Sequence, residues 1–197
     1  MTVVKVCLRE GDFEMKKELY NKVREKALLY YEAAHIILND REKEDLEVAD
    51  FGLGDIEKIG LESVVYINTE RCCAKEMVLF PGQTCPEHMH PAVGEKYEGK
   101  EETFRCRMGK VYLYVEGVPT EPIKAVLPKG SESFFTVFHE IELQEGEQYT
   151  LYPNTKHWFQ AGPEGAVISE FSTRCYDEYD IFTDERIKRI PEIEDDM

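Results

Sequence analysis

Short runs of β-forming residues follow one another along the chain after Gly60, and this pattern constrains the fold more than any other feature. The runs are rich in Val, Tyr, Phe and Thr, and they are separated by Gly, Pro and Asn. No helical pattern lies between them, which favours an antiparallel sandwich or barrel over a parallel α/β sheet. The predicted strands are residues 63–68, 74–80, 103–108, 111–115, 148–151 and 166–172.

The first 60 residues show a different spacing of apolar residues. From Glu14 to about His35, apolar residues recur at helical spacing with Lys and Glu between them, which predicts an amphipathic helix. Asn39 and Asp40 then offer an N-cap for a short charged helix that ends near Leu46. We therefore predict a single domain with three parts: a mainly helical N-terminal extension (1–60), a barrel (61–175) and a C-terminal tail that packs on the barrel (176–197).

Composition and charge disfavour some classes of binding partner. The chain has 24 basic and 40 acidic residues among 197, and its formal net charge of −16 disfavours binding to nucleic acid or to an anionic membrane. No apolar run approaches the roughly 18 residues of a membrane helix, and no secretory signal pattern is present, so we expect a cytoplasmic protein. The six cysteines lack zinc-ribbon spacing and are expected to be mostly reduced.

Three of the five histidines occur in a pattern that indicates a metal site. Side chains alternate along a strand, so His88 and His90 point to the same face. With Glu102 and a third imidazole from His157, they form a mixed nitrogen and oxygen set that a divalent metal can occupy with coordination positions left open. Open positions indicate catalysis. Glu101 remains an alternative to Glu102, because either residue could fall in register after the preceding loop.

The same residues resemble the motifs of the cupin superfamily, whose fold is a β-barrel. Gly82, His88-x-His90, Glu102 and Gly109 resemble the first cupin motif, and Gly146, Pro153 and His157 fit the outline of the second. The resemblance implies an all-β core formed by a single cupin β-barrel, a jelly-roll-like antiparallel sandwich, with N-terminal α-helices.

A closer resemblance extends over most of the chain, roughly from the first helix to Asp184. It rests on Asp50-Phe-Gly-Leu-Gly54, Lys75-Glu-Met77, Pro81-Gly-Gln-Thr-Cys-Pro-Glu-His88, Lys100-x-Glu102, His157-Trp-Phe159 and Glu170-Phe-Ser172. Together these segments resemble the D-lyxose ketol-isomerase family of sugar isomerases. That resemblance implies a Mn²⁺-dependent enzyme that interconverts D-lyxose with D-xylulose and D-mannose with D-fructose. Co²⁺, Fe²⁺ and Zn²⁺ are alternative metals.

The resemblance also implies roles for individual residues. The metal ligands are His88, His90, Glu102 and His157, while Lys100 and Glu170 match the family's proposed catalytic lysine and glutamate. Glu170 lies in an otherwise apolar strand, where a carboxylate is costly unless it has a partner or a task. We predict that it is the base that moves a proton between C2 and C1 of the sugar. The alternative for Lys100 is a solvated loop charge.

Three further residues are candidate substrate contacts. Lys75 interrupts an apolar strand and either points into the barrel or lies at a strand edge. Phe104 and Trp158 either pack on the apolar face of a monosaccharide or belong to the core.

Two other functions are compatible with the ligand set, an Fe(II) dioxygenase and a non-catalytic sugar-binding cupin. The resemblance, and the sheet edges that such barrels expose, lead us to expect a homodimer.

Overall fold

The structure is a computed structural model that describes residues 14–190 and 192–193. The helices are α1 (Lys17–Ala33) and α2 (Asp40–Glu44), with 3₁₀ turns at Glu132–Phe134 and Asp177–Tyr179. The strands are β1 (Glu14–Met15), β2 (Glu47–Ala49), β3 (Leu61–Asn68), β4 (Cys73–Leu79), β5 (Thr84–Met89), β6 (Glu102–Val115), β7 (His139–Gln144), β8 (Gln148–Leu151), β9 (His157–Ser172), β10 (Ile181–Phe182) and β11 (Glu192–Ile193).

Nine of these strands form one antiparallel sheet that curls into a half-barrel, as the strand pattern predicts. The sheet follows the order β10-β5-β9-β4-β3-β2, and β6 lies beside β9 with β7 and β8 on its other side. Strand β9 is central, because it pairs with β5 through its first half, with β4 through its second half and with β6 along most of its length. The short strands β1 and β11 form a separate parallel pair.

Strand β6 differs from the sequence prediction. The two strands predicted at 103–108 and 111–115 are one continuous strand, because its register shifts against β9 between Cys106 and Met108 and between Gly109 and Val111 do not interrupt it. Gly109 has φ +76°, and a Cβ at this position would lie 2.1 Å from the carbonyl oxygen of Gly165. The glycine is therefore required by both its conformation and the close approach of β9.

Strand β9 changes the face that points into the barrel part-way along its length. Before Gly162, the odd-numbered Phe159 and Ala161 belong to the interior core, whereas after Gly165 the even-numbered Ala166 and Ile168 do. From Ala161 to Ala166, β9 advances by five residues, whereas the paired part of β6 advances by only two. The extra residues of β9 therefore bulge outward. Because of this switch, side chains from both halves of β9 point into the barrel interior.

The N-terminal part contains both predicted helices. Helix α1 buries Val23, Ala27 and Tyr31 against the outer face of the sheet. Helix α2 begins with a capping box: the Asn39 side chain accepts from the Glu42 N–H, and the Glu42 carboxylate accepts from the Asn39 N–H, both at 2.9 Å. The second helix ends at Glu44 rather than near Leu46, because the chain turns into β2.

The tail described by the structure returns to the barrel. Strand β10 pairs with β5 so that Phe182 lies opposite His88, and the Thr183 N–H donates to the carbonyl oxygen of Glu87 at 3.0 Å. The five cysteines among the described residues are free, whereas Cys7 lies outside that part of the chain. Within the described ranges, no helix is long and apolar enough to cross a membrane.

Candidate active site

The four residues predicted as metal ligands meet inside the barrel. Possible ligand atoms of His88, His90 and His157 all lie within 4.8 Å of one another, and all three side chains are buried. Oε1 of Glu102 lies 3.1 Å from Nε2 of His90 and 3.0 Å from Nε2 of His157. Glu101 is exposed, and its backbone N–H donates to Thr173. The structure therefore brings Glu102, and not Glu101, to the histidine cluster, beside His90 and His157.

Two of the imidazoles are oriented by their own strands or the adjoining turn. Nδ1 of His88 lies 2.8 Å from the carbonyl oxygen of Pro86, and Nδ1 of His157 lies 3.0 Å from that of Thr155. A carbonyl oxygen only accepts, so each Nδ1 carries a proton, and in the neutral form of such a ring the lone pair is on Nε2. This tautomer is the one that a metal requires when it binds through Nε2.

His90 has a carboxylate on each side. Its Nδ1 lies 2.5 Å from Oδ1 of Asp180, opposite the contact of its Nε2 with Glu102. Burial lowers the pKa of His90, but the negative charge of Glu102 and the hydrogen bond to Asp180 outweigh it and raise the pKa to about 9. His88 behaves in the opposite way: burial and its imidazole neighbours hold its pKa well below the ordinary value.

This cluster fits a divalent cation. Nε2 of His157 is buried and lacks a hydrogen-bond partner, because with the proton on Nδ1 it cannot donate to the Glu102 oxygen 3.0 Å away. A buried nitrogen in that state costs free energy unless something binds its lone pair. Three clustered imidazoles, with a carboxylate oxygen of Glu102 beside two of them, form a donor set suited to first-row divalent metals.

Lys100 joins the histidine cluster to the second predicted catalytic residue. Its Nζ lies 2.6 Å from Oε2 of Glu102 and 2.7 Å from Oε1 of Glu170. The lysine is only 3% exposed, so it is not the solvated loop charge that was its alternative. Burial lowers the pKa of Lys100, but the two carboxylates outweigh it and raise the pKa well above its ordinary value. Lys100 therefore carries a positive charge at neutral pH.

Glu170 and Lys75 form the neighbouring wall of the site. Both are buried, and they lie directly opposite each other on strands β9 and β4. The Ser172 hydroxyl lies 3.2 Å from Oε1 of Glu170, whereas Nζ of Lys75 lies 3.0 Å from Oδ2 of Asp177 and 3.2 Å from Sγ of Cys175. Because β4 lies between β3 and β9, Lys75 is not at a strand edge and points into the barrel.

The two aromatic residues predicted as substrate contacts, Phe104 and Trp158, lie in different parts of the structure. Phe104 lines the cavity, with its ring edge-on to the ring of Phe159 at a centroid distance of 5.0 Å. Trp158 does not line it, because alternation along β9 turns this residue to the face opposite His157. There it stacks on Tyr114 at 3.9 Å in a separate buried cluster. The structure thus favours the core alternative for Trp158.

The tail supplies several site residues that the sequence reasoning missed. The cavity encloses about 30 Å³, enough for only about one or two water molecules, and the tail covers one side of it. The sequence signal was limited to acidic residues mixed with Phe182, Ile187 and Ile190, which predicted packing but not function. The tail residues at the cavity are Asp177, Asp180, Phe182 and Arg189.

Comparison with known proteins agrees with this geometry. Residues 20–197 match the family described as D-lyxose isomerase. The chain belongs to the D-lyxose isomerase family. It is 63% identical over 181 residues to a D-lyxose/D-mannose isomerase of Thermosediminibacter oceani, covering 92% of this chain and 99% of that protein. It is also 56% identical to the D-lyxose ketol-isomerase of Cohnella laeviribosi, covering 92% of this chain and all of that protein. Membership in the D-lyxose isomerase family confirms the predicted class, a sugar isomerase, over the dioxygenase and binding-protein alternatives.

Solved structures with the same fold support the predicted architecture. An Acinetobacter sp. DL28 L-ribose isomerase mutant in complex with L-ribose superposes with a TM-score of 0.78 at 15% identity, covering 93% of this chain and all of that one. The Cellulomonas parahominis L-ribose isomerase gives the same TM-score at 16% identity and the same coverage. At such identities the likeness establishes the fold alone, and it confirms the cupin-like barrel for this member of the D-lyxose isomerase family.

Proposed function

We propose that the protein interconverts D-lyxose with D-xylulose, and D-mannose with D-fructose, by metal-assisted proton transfer through an enediol. The observation that carries the proposal is the position of Lys100, with its ammonium group 2.6 Å from Glu102 of the histidine cluster and 2.7 Å from Glu170. The names of the relatives from Thermosediminibacter oceani and Cohnella laeviribosi supply the two aldoses.

His88, His90, Glu102 and His157 would hold the metal, with Mn²⁺ as our first choice. A divalent cation bound there would supply a positive charge that polarises the sugar's carbonyl group and stabilises negative charge on its oxygens. The buried Nε2 of His157, which lacks a hydrogen-bond partner, supports this assignment. Since the same donor set also binds later first-row metals, Co²⁺, Fe²⁺ and Zn²⁺ remain alternatives.

Glu170 would move the proton. An aldose becomes a 2-ketose when a base removes the proton from C2 and returns a proton to C1. Lys100 is poorly suited to be that base, because its raised pKa keeps its nitrogen protonated. Lys100 instead would donate a hydrogen bond to the sugar oxygens as negative charge develops on them, and its contact holds the Glu170 carboxylate in place.

The polar wall beyond Glu170 would bind the rest of the sugar. Lys75 and Phe104 line the cavity and remain our candidate substrate contacts, with Asp177 and Arg189 of the tail added by the structure. The present cavity of about 30 Å³ is too small for a pentose. Binding therefore requires side chains at this wall, or the tail itself, to move outward. Homodimer formation and the cytoplasmic location stay predictions.

The first experiment is ketose formation from D-lyxose and D-mannose by protein stripped with EDTA and then reloaded with Mn²⁺. We expect turnover to disappear on stripping and to return with the metal. Turnover in D₂O should place deuterium at C1 of the ketose, because the proton on a carboxylate exchanges with solvent. Full activity in the stripped protein would refute the metal dependence, and complete absence of solvent deuterium after many turnovers would refute the enediol route.

A further inference from the structure

His90 is held differently from the other two histidines of the cluster. The rings of His88 and His157 are oriented by carbonyl oxygens two residues earlier in the chain. The ring of His90 instead depends on a side chain 90 residues away, the carboxylate of Asp180, which lies 2.5 Å from its Nδ1. Of the three proposed imidazole ligands, only His90 has an Nδ1 that is hydrogen-bonded to the tail.

Asp180 is itself placed by contacts on both sides. Before it, the Asp177 carboxylate pairs with buried Lys75 at 3.0 Å, and the backbone carbonyl oxygen of Asp177 accepts the Asp180 N–H at 3.3 Å. After it, β10 pairs with β5, and the Thr183 hydroxyl donates to the buried carboxylate of Glu87 at 2.6 Å. Segment 177–183 thus reaches His90 between two anchors, and the Asp180 side chain is 7% exposed.

A buried carboxylate in this position has a defined effect on a histidine ligand. It accepts the Nδ1 proton, fixes the ring orientation and increases the electron density that Nε2 offers to a metal. It also makes a stronger hydrogen bond than the neutral carbonyl oxygens that orient the other two rings. The contact therefore affects the metal site although Asp180 does not reach the metal itself.

We propose that Asp180 is a positioning residue that orients His90 for metal binding and thereby couples the docking of segment 177–183 to occupancy of the site. The inference rests on the metal site of the proposed function. Coupling of this kind is reciprocal: if the docked segment raises metal affinity, the bound metal stabilises the docked segment by the same free energy. Because the tail also covers the cavity, the metal-loaded protein has the better-ordered sugar site.

The test measures binding of Mn²⁺ alone, by competition with a chelating dye, in the full-length protein. Asp180→Ala removes the hydrogen bond and is expected to raise the dissociation constant 10- to 100-fold, the usual effect of losing such a partner. Asp180→Asn keeps a neutral acceptor and is expected to fall between Asp180→Ala and the wild type. Asp184→Ala is the matched control, because Asp184 is a buried carboxylate of the same tail that contacts Arg186 and not the histidines.

The outcomes separate the inference from the proposed function. His88→Ala defines the level without a metal site, and a wild type that binds Mn²⁺ no better would overturn both. Tight binding by the wild type with equal affinity in Asp180→Ala would overturn the inference alone, as would an equal loss in Asp184→Ala.

Amide hydrogen exchange supplies the second measurement. Mn²⁺ is expected to slow exchange across 177–183 in the wild type much more than in Asp180→Ala, and an equal slowing would count against the coupling.

Discussion

Glu62 carries a carboxyl group that is buried where it cannot readily ionise. Its replacement should therefore change the free energy of unfolding by an amount that can be predicted. It lies on β3 beneath helix α1 with no exposed surface. Oε1 accepts from Nε2 of Gln83 at 3.1 Å, whereas Oε2 is buried without a hydrogen-bond partner. Burial is the largest cause that raises its pKa from 4.5 to about 8, and the Gln83 hydrogen bond opposes this only partly.

The sign of the effect follows from the proton count. Between pH 4.5 and about 8 the folded protein keeps a proton on Glu62 that the unfolded chain has lost, so stability falls as pH rises through this window. A separation of about 3.5 pH units, at about 1.4 kcal/mol each, gives a loss of up to about 5 kcal/mol. Above about pH 8 both states are ionised and the loss stays constant. Local relaxation and water entry reduce the figure, so we expect at least about 2 kcal/mol.

Glu62→Gln removes the titration while keeping the size and the acceptor for Gln83. We expect the variant to match the wild type near pH 4.5 and to be more stable by about 2–5 kcal/mol at pH 8.5. Urea unfolding from pH 4.5 to 9 measures the difference. Glu57→Gln is the matched control, because this nearby carboxylate is 62% exposed and should change stability by less than about 0.5 kcal/mol. Parallel pH profiles for the wild type and Glu62→Gln would refute the reasoning.

Three further predictions concern the site and the helices. Glu170→Gln should lower kcat for D-lyxose by about 10²- to 10⁴-fold with unchanged Mn²⁺ affinity, and a loss of metal binding would assign Glu170 to the metal site instead. Saturating Mn²⁺ at about 100 times its dissociation constant should add about 2.7 kcal/mol to the free energy of unfolding, and an unchanged melting temperature after EDTA treatment would contradict tight binding. Asn39→Ala should cost about 1 kcal/mol in urea unfolding without altering kcat, and no loss of stability would show that the capping box contributes little.

The candidate site was predictable where local periodicity decides which way a side chain points. Alternation along β5 places His88 and His90 on one face, and the sequence motifs identify the same Glu102 that the structure brings beside them. Glu170 was recognisable because a carboxylate in an apolar strand needs a partner, which is Lys100. These inferences use only neighbours along the chain together with a family resemblance.

What was missed depends on contacts between distant segments. No local pattern connects Asp180 with His90, because the path of the tail across the barrel decides that contact. The bulges of β6 and β9 were also not predictable, since an extra residue in a strand is accommodated by its partner's register rather than by its own sequence. Trp158 is different: alternation from His157 already points it away from the cluster, so the sequence alone could have decided for its core alternative.

The change of face in β9 has a consequence for protein engineering. His157 and Glu170 lie at opposite ends of this one strand, and the outward bulge at 162–165 sets which residues of its second half face the barrel interior. A one-residue insertion in the bulge that is not absorbed there would turn Glu170 outward and leave His157 in place. Such a length variant would keep the proposed metal ligands and lose the proposed base, so libraries that vary loop length here would test the two proposed roles separately without substituting any site residue.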